Sequence, residues 1–231
     1  MAGIPGDAAR AERQRYYDQF LATWDSAAWD PRTLERLDLA RPMMAPGGSL
    51  LVVGAGGGAE PMRLREWGYQ VTVIDIASVG VEGARQAGLA AFQVDLETDG
   101  VPGQYDQVAC FEVLEHLRDP ASALAKLRGA LKPGGRLLVG LPNEFHVVRR
   151  LQVLAGRPDF AQHDWPHLRF FNYRACRRLF EEAGLEVRGV AAAPLVPPRM
   201  RMLRGIGRLL CRTWPGLFAF SYIFHLGARP Q

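Results

Sequence analysis

Two groups of residues in this 231-residue chain have types and spacings suited to chemistry. Glu112, Glu115 and His116 fall three and four positions apart, so on a helical turn they share one face. Carboxylates and an imidazole gathered at one spot can move protons near neutral pH or ligate a cation. Taken singly, each has a plainer reading: a carboxylate capping a helix or pairing an arginine, a histidine packing beneath a ligand. The second group is Gly54-Ala55-Gly56-Gly57-Gly58-Ala59, with Asp75 about one helix and one strand further on. Glycines let the backbone approach a ligand closely, and an acid closing the next strand accepts ribose hydroxyls. That combination points to a nucleoside ligand.

The elements that must position these residues follow from periodicity and punctuation. Ala8–Trp29 has a helical pattern, with Tyr16, Tyr17, Phe20, Leu21 and Trp24 at spacings of three and four. Pro46-Gly47-Gly48 closes this arm, and from Ser49 the chain alternates strand and helix. Strands are expected at Leu50–Val53, Val71–Ile74, Ala90–Val94, Tyr105–Phe111 and Arg136–Leu141, with helices at Glu60–Trp67, Val79–Gln86 and Ala121–Leu131 between them. The rhythm then pauses for about 25 residues, a long loop and therefore a functional candidate. It resumes with a helix at Tyr173–Ala183, a strand at Leu185–Val190, a helix at Arg199–Arg212 and a last strand at Phe218–Gly227. Such alternation predicts a Rossmann-like α/β fold, a seven-stranded, mostly parallel sheet with helices on both faces. In such a sheet the carboxyl ends of the strands form the ligand crevice, where both groups of residues lie. The organisation expected is an N-terminal helical arm or lid over residues 1–48 and one domain over 49–231.

The glycine turn alone leaves the ligand ambiguous. Gly54, Gly56 and Ala59 satisfy a dinucleotide pattern, whereas Gly54, Gly56 and Gly58 satisfy an S-adenosylmethionine pattern. Asp95, in Val94-Asp95-Leu96, closes the third strand where it can accept the adenine amino group. Leu131-Lys132-Pro133-Gly134-Gly135 introduces the fifth strand, and the last strand ends the chain behind a helix. With these features the chain resembles class I S-adenosylmethionine-dependent methyltransferases, strongly over Ser49–Asn143 and loosely elsewhere. The resemblance implies a reversed C-terminal edge strand and a cofactor site formed by Gly54, Ala55, Gly56, Gly58, Asp75, Ile76, Asp95, Leu96 and Phe111. One departure stands out: Val52 occupies the position, two before the first glycine, where the family usually carries an acid.

Glu112-Val113-Leu114-Glu115-His116 resembles a segment of the ubiquinone-biosynthesis O-methyltransferases and their relatives. In the similar small-RNA 2′-O-methyltransferases such a segment supplies two glutamates and a histidine to a divalent metal, and a second histidine arrives from the loop after the fifth strand. That loop here holds His163 and His167, of which His167 matches better by its distance from the following aromatic residue. The resemblance therefore implies Glu112, Glu115, His116 and His167 as ligands for a divalent metal such as magnesium. His116 and His167 are also the candidate catalytic residues, since either imidazole could take a proton directly from a hydroxyl nucleophile. A third reading makes both structural, with catalysis by proximity alone.

Other segments bear on the acceptor. The acceptor-side loop, residues 143–170, offers Phe145, His146, Arg149, Arg150, Phe160, Trp165 and Arg169. Tyr16 and Tyr17 are candidates to close over the cofactor. In Arg199–Arg212, Arg201, Arg204, Arg208 and Arg212 recur at three and four among Met202, Leu203, Ile206, Leu209 and Leu210, a basic amphipathic helix. The simpler expectation is that its apolar side packs on the sheet with the arginines in water; a peripheral membrane contact and an anionic substrate are the alternatives. The net charge of +4 is too small, and too local, to imply nucleic acid, and no sequence-reading module is present. Three cysteines without metal spacing, no signal peptide and no run of about 18 apolar residues point to a cytoplasmic protein. The function expected is O-methylation of a small-molecule, lipid-linked or glycan acceptor. A nicotinamide-dependent oxidoreductase and a non-catalytic cofactor-fold protein are the competing readings.

Overall fold

Short runs of valine, leucine and isoleucine, bounded by glycine, proline or an acid, form the strands. The computed structural model describes residues 6–22, 31–54, 56, 58–157, 167–196 and 200–229. Within them lie β1 (Ser49–Val53), β2 (Gln70–Asp75), β3 (Ala90–Gln93), β4 (Tyr105–Phe111), β5 (Leu131–Pro142), β6 (Leu185–Pro194) and β7 (Ala219–Ala228). They form one seven-stranded sheet in the order β3-β2-β1-β4-β5-β7-β6. β7 runs antiparallel to both its neighbours, and the other pairings are parallel. The expected reversed C-terminal strand is present; it lies one place in from the edge, with β6 outermost. β5 begins at Leu131, earlier than expected, and its register against β4 shifts between Tyr105 and Gln107, where Lys132-Pro133-Gly134-Gly135 interrupts regular pairing.

Alternate residues of each strand face opposite layers. Leu51, Val53, Val108, Cys110, Leu137 and Val139 pack with α5 (Pro120–Gly129) and α7 (Tyr173–Glu182) on one face. Leu50, Val52, Val73 and Ala109 pack on the other with α2 (Pro31–Ala40), α3 (Ala59–Glu66) and α4 (Ser78–Gln86). Helix starts follow local chemistry: Asp119 caps α5 by accepting from the Ser122 amide, and Asn172 caps α7 by accepting from the Ala175 amide. The three cysteines are free and buried.

Two expectations are corrected. The stretch after Asn143 is not wholly irregular, because α6 (Val147–Leu154) forms there. Its cap is His146, an uncommon capping residue, so the usual start signal is lacking, and α6 leaves its apolar residues unburied. The helix α8 (Arg201–Thr213) does not pack its apolar side on the sheet. Its inward side carries Gly207 and Cys211, with Arg204 reaching Glu35 of α2; Met202, Ile206 and Leu209 face solvent. The reason is close approach: a Cβ at Gly207 would lie 3.0 Å from Pro194 at the end of β6, so only small residues fit against the sheet.

Helix α1 (Gly6–Ala22) stands over the carboxyl ends of the strands. Asp18 accepts from Ser78 and from the Val79 amide at the start of α4, while Arg10 pairs with Asp99 and Arg13 with Asp95. Among the described residues no helix is long and apolar enough to cross a membrane.

Candidate functional site

The sheet order reverses direction between β1 and β4, and a crevice opens there beyond the strand ends. Val53 of β1 is paired with Cys110 of β4, so the glycine turn and the Glu112–His116 segment emerge side by side. Their contact is tight: a Cβ at Gly54 would stand 3.1 Å from Val113. Gly54, Gly56 and Gly58 all have left-handed φ, at 89°, 49° and 81°, a conformation other residues adopt at a cost. Gly58 is the N-cap of α3, with no side-chain cap for its first-turn amides. Ala55 lies outside the described residues, as do Trp24, Phe160, His163, Trp165 and Arg199.

Asp75 ends β2 and accepts from the Ala77 amide at 2.8 Å, which fixes its carboxylate at the head of α4. Asp95, 2% exposed, accepts from the Glu97 amide and pairs with Arg13 of α1 at 2.6 Å. Both acids thus lie at the carboxyl ends of the strands, beneath α1. Ile76 follows Asp75 at the same rim, half-buried, its carbonyl accepting from Gln93. Leu96 is buried in the core, and the Phe111 ring packs against Gly140; both support the crevice from behind. Tyr17 hangs from α1 toward this space, 6.1 Å from the His116 ring. Burial first, then the nearby Tyr16, Glu115 and Asp75, pushes its phenol well above the ordinary tyrosine range.

Glu115, His116 and His167 converge, with one ligand atom from each lying within 4.8 Å of the others. The His116 and His167 rings meet edge to face at 4.9 Å. Backbone bonding brings His167 here, since the amides of Leu168 and Arg169 both donate to the Glu115 carbonyl. Glu112 does not join them. Its φ of 55° turns it before the short 3-10 turn Leu114–His116, and it pairs with Arg36 of α2 at 3.5 Å. The three-and-four spacing presumed a continuous helical turn, and that left-handed residue breaks it.

Both Glu115 carboxylate oxygens are buried without a hydrogen-bond partner among the described residues. Burial, reinforced by the charge of Glu112, raises the Glu115 carboxyl well above its ordinary range. A buried acid so placed, beside two imidazoles, suits a bound cation or a reacting hydroxyl. Glu144, which sequence reasoning missed, orients the set: its carboxylate meets His167 Nδ1 at 3.0 Å and also pairs with Arg149. This presents Nε2 as the His167 nitrogen for a ligand or a proton. Burial, with Arg149 adding and Glu112 opposing, lowers the His167 pKa from its ordinary value, which favours the neutral ring. The place of Glu144 just after the carboxyl end of β5 was the only sequence hint, since its role depends on His167 from the following loop.

A family model for the methyltransferase domain matches residues 20–190. The chain belongs to that family. The match resolves the ambiguous glycine turn in favour of a methyltransferase domain rather than a nicotinamide-binding one. Among curated relatives, a ubiquinone biosynthesis O-methyltransferase of Xylella fastidiosa (strain 9a5c) is 36% identical over 162 residues, covering 62% of this chain and 65% of its own length. One of Xanthomonas campestris pv. campestris (strain B100) is 38% identical over 130 residues, covering 52% and 54%. The chain thus spans between about half and two thirds of the length of the curated relatives it matches. Among solved structures, magnesium protoporphyrin IX methyltransferase from Synechocystis PCC 6803, with bound SAH, superposes with a TM-score of 0.65 at 16% identity, covering 96% of this chain and 99% of that one. That likeness concerns the fold.

In this methyltransferase domain Val52 is fully buried between Val73 and Ala109, in an apolar layer. Acids lie instead just past the glycine turn. Glu60, in the first turn of α3, is 14% exposed and faces Arg36 at 3.9 Å. Burial, with Glu112 adding and Arg36 opposing, pushes its carboxyl up to about 7.

Proposed function

We propose that this domain transfers a methyl group from S-adenosylmethionine to a hydroxyl oxygen of a small-molecule, lipid-linked or glycan acceptor. The observation that carries the reading is the convergence of buried Glu115 with His116 and His167 beside the glycine turn and Asp75. In this arrangement the glycine turn and the α3 amides receive the carboxylate end of the cofactor, Asp75 the ribose and Asp95 the adenine. His116 or His167 takes the proton from the hydroxyl as the oxygen attacks the methyl carbon and the sulfur leaves with the bonding pair. Tyr17 and α1 cover the site and exclude water. The curated relatives are named as O-methyltransferases, which favours oxygen over nitrogen as the acceptor. Isothermal titration with S-adenosylmethionine tests the cofactor, and labelled-methyl transfer to hydroxyl-bearing acceptors tests the reaction; folded protein that binds no cofactor overturns both.

The same residues fit a divalent cation. Glu115 offers two buried oxygens without partners among the described residues, and each imidazole offers a nitrogen, a mixed set that suits several divalent ions including magnesium. When bound, such an ion would lower the pKa of the acceptor hydroxyl. Glu112 stays on Arg36 and is not part of this set.

Glu60 takes the place of the missing acid at position 52 and faces the cofactor ammonium. With a carboxyl near pH 7, Glu60 is mostly neutral in the empty site at pH 5.5 and half ionised at pH 7. An ammonium, protonated throughout that range, binds the ionised form, so affinity rises with pH. The expected gain is about tenfold between pH 5.5 and 7. In Glu60→Gln that slope disappears in the same titration; an unchanged slope assigns the ammonium elsewhere.

A further inference from the structure

Helix α8 presents to solvent what a packed helix would hide. Met202 is 96% exposed, Ile206 60% and Leu209 61%, and Trp214, just past its end, is 58% exposed. Met202, Ile206 and Leu209 recur at four and three, one stripe along a helix about 20 Å long. Arg208 and Arg212, both exposed, line one side of the stripe. Residues 187–231 contain seven arginines and not one aspartate or glutamate.

We propose that this face of α8 docks the domain on an anionic lipid bilayer, with Met202, Ile206 and Leu209 entering the acyl boundary and Arg208 and Arg212 at the phosphates. Charge selects the occupant. A second copy meeting this face about a two-fold axis would set arginine rows against each other with no acid in the segment to answer them. A bilayer with anionic headgroups supplies the opposite charge and an apolar phase together. Trp214 stands at the end of the stripe, and its indole suits the headgroup level. The docked face also adjoins the acceptor side of the crevice. Asn143 Nδ2, just past β5, donates to the Gly216 and Ala219 carbonyls of the turn after α8, and Phe145, Leu151 and Leu154 beyond it are exposed. Docking therefore places the crevice mouth near the membrane, where a lipid-borne acceptor would reach it. The surface stands independently of the methyl-transfer reading, because vesicle binding is measured without turnover.

Co-sedimentation with phosphatidylglycerol/phosphatidylcholine vesicles, and with phosphatidylcholine alone, tests it. The full chain is expected to bind the anionic vesicles and to release as salt is raised. Arg208→Gln with Arg212→Gln should weaken that binding roughly 25-fold, from about 1 kcal/mol per basic residue at the surface. Ile206→Asp with Leu209→Asp should abolish it, with circular dichroism and thermal transition unchanged because both residues face solvent. Anionic vesicles that bind neither protein, or both equally, overturn the proposal. So does a concentration-dependent dimer that the aspartates disrupt while vesicles bind nothing, which would make the stripe a self-association face.

Discussion

Glu115→Gln is expected to lower methyl transfer by about 100-fold or more while the thermal transition stays level or rises. The two effects separate because of how Glu115 is held. Its carboxyl is fully buried, its two oxygens find no partner among the described residues, and burial with Glu112 nearby disfavours its charge. Such a group is a liability to folding, and an uncharged residue of the same shape relieves it. Glutamine cannot accept a proton at neutral pH or contribute a charge to a cation, and positioned acid–base or Lewis-acid groups account for factors of about 10² to 10⁴. A residue serving only structure would show the reverse, lower stability with turnover retained. Excess chelator applied to metal-free protein separates the two versions of this site. Transfer abolished with cofactor affinity intact supports the cation, and unchanged turnover assigns the chemistry to His116 and His167 alone. Comparing melting curves and single-turnover rates for the variant and the parent settles which role Glu115 has.

Asp75→Ala is expected to reduce S-adenosylmethionine affinity by about 30- to 100-fold. A carboxylate accepting ribose hydroxyls makes charge-assisted hydrogen bonds, each worth about 1.5–3 kcal/mol when a partner is removed. The Ala77 amide already holds one Asp75 oxygen, so the carboxylate needs little reordering when ligand arrives. Asp95→Ala should cost less, because Asp95 also serves Arg13 and the Glu97 amide, and cofactor must share it. The check is isothermal titration of both variants, with circular dichroism confirming that the head of α4 survives. Equal affinity in Asp75→Ala and the parent would remove the nucleoside site from the mouth of β2.

The elements of the sheet were legible because strands and helices differ in period and in punctuation. Tyr105–Phe111 falls on β4 as expected, and the other expected stretches overlap their strands, although β5 and β6 run well beyond them. Helix α6 was missed although Val147, Val148, Leu151 and Leu154 recur at helical spacing, because His146 is not a usual start signal and the segment is short. In the site, Gly54, Gly56, Gly58, Asp75 and Asp95 stood out because each type has a local reason to be where it is. Glu60 and Glu144 did not, because their importance lies in what faces them: Arg36 in one case, His167 in the other.

By itself, then, the order of residues determined the class of sheet, the place of its ligand crevice and the nucleoside character of the turn beside β1. These follow from short-range rules, in which chain neighbours set backbone geometry and strand direction sets where loops gather. Three outcomes were left to the tertiary structure. One left-handed φ sends Glu112 to Arg36, two amides draw His167 to Glu115, and the close approach of Gly207 to Pro194 turns the apolar stripe of α8 outward. Periodicity tells which residues share a face; what that face meets depends on packing between segments far apart in the chain.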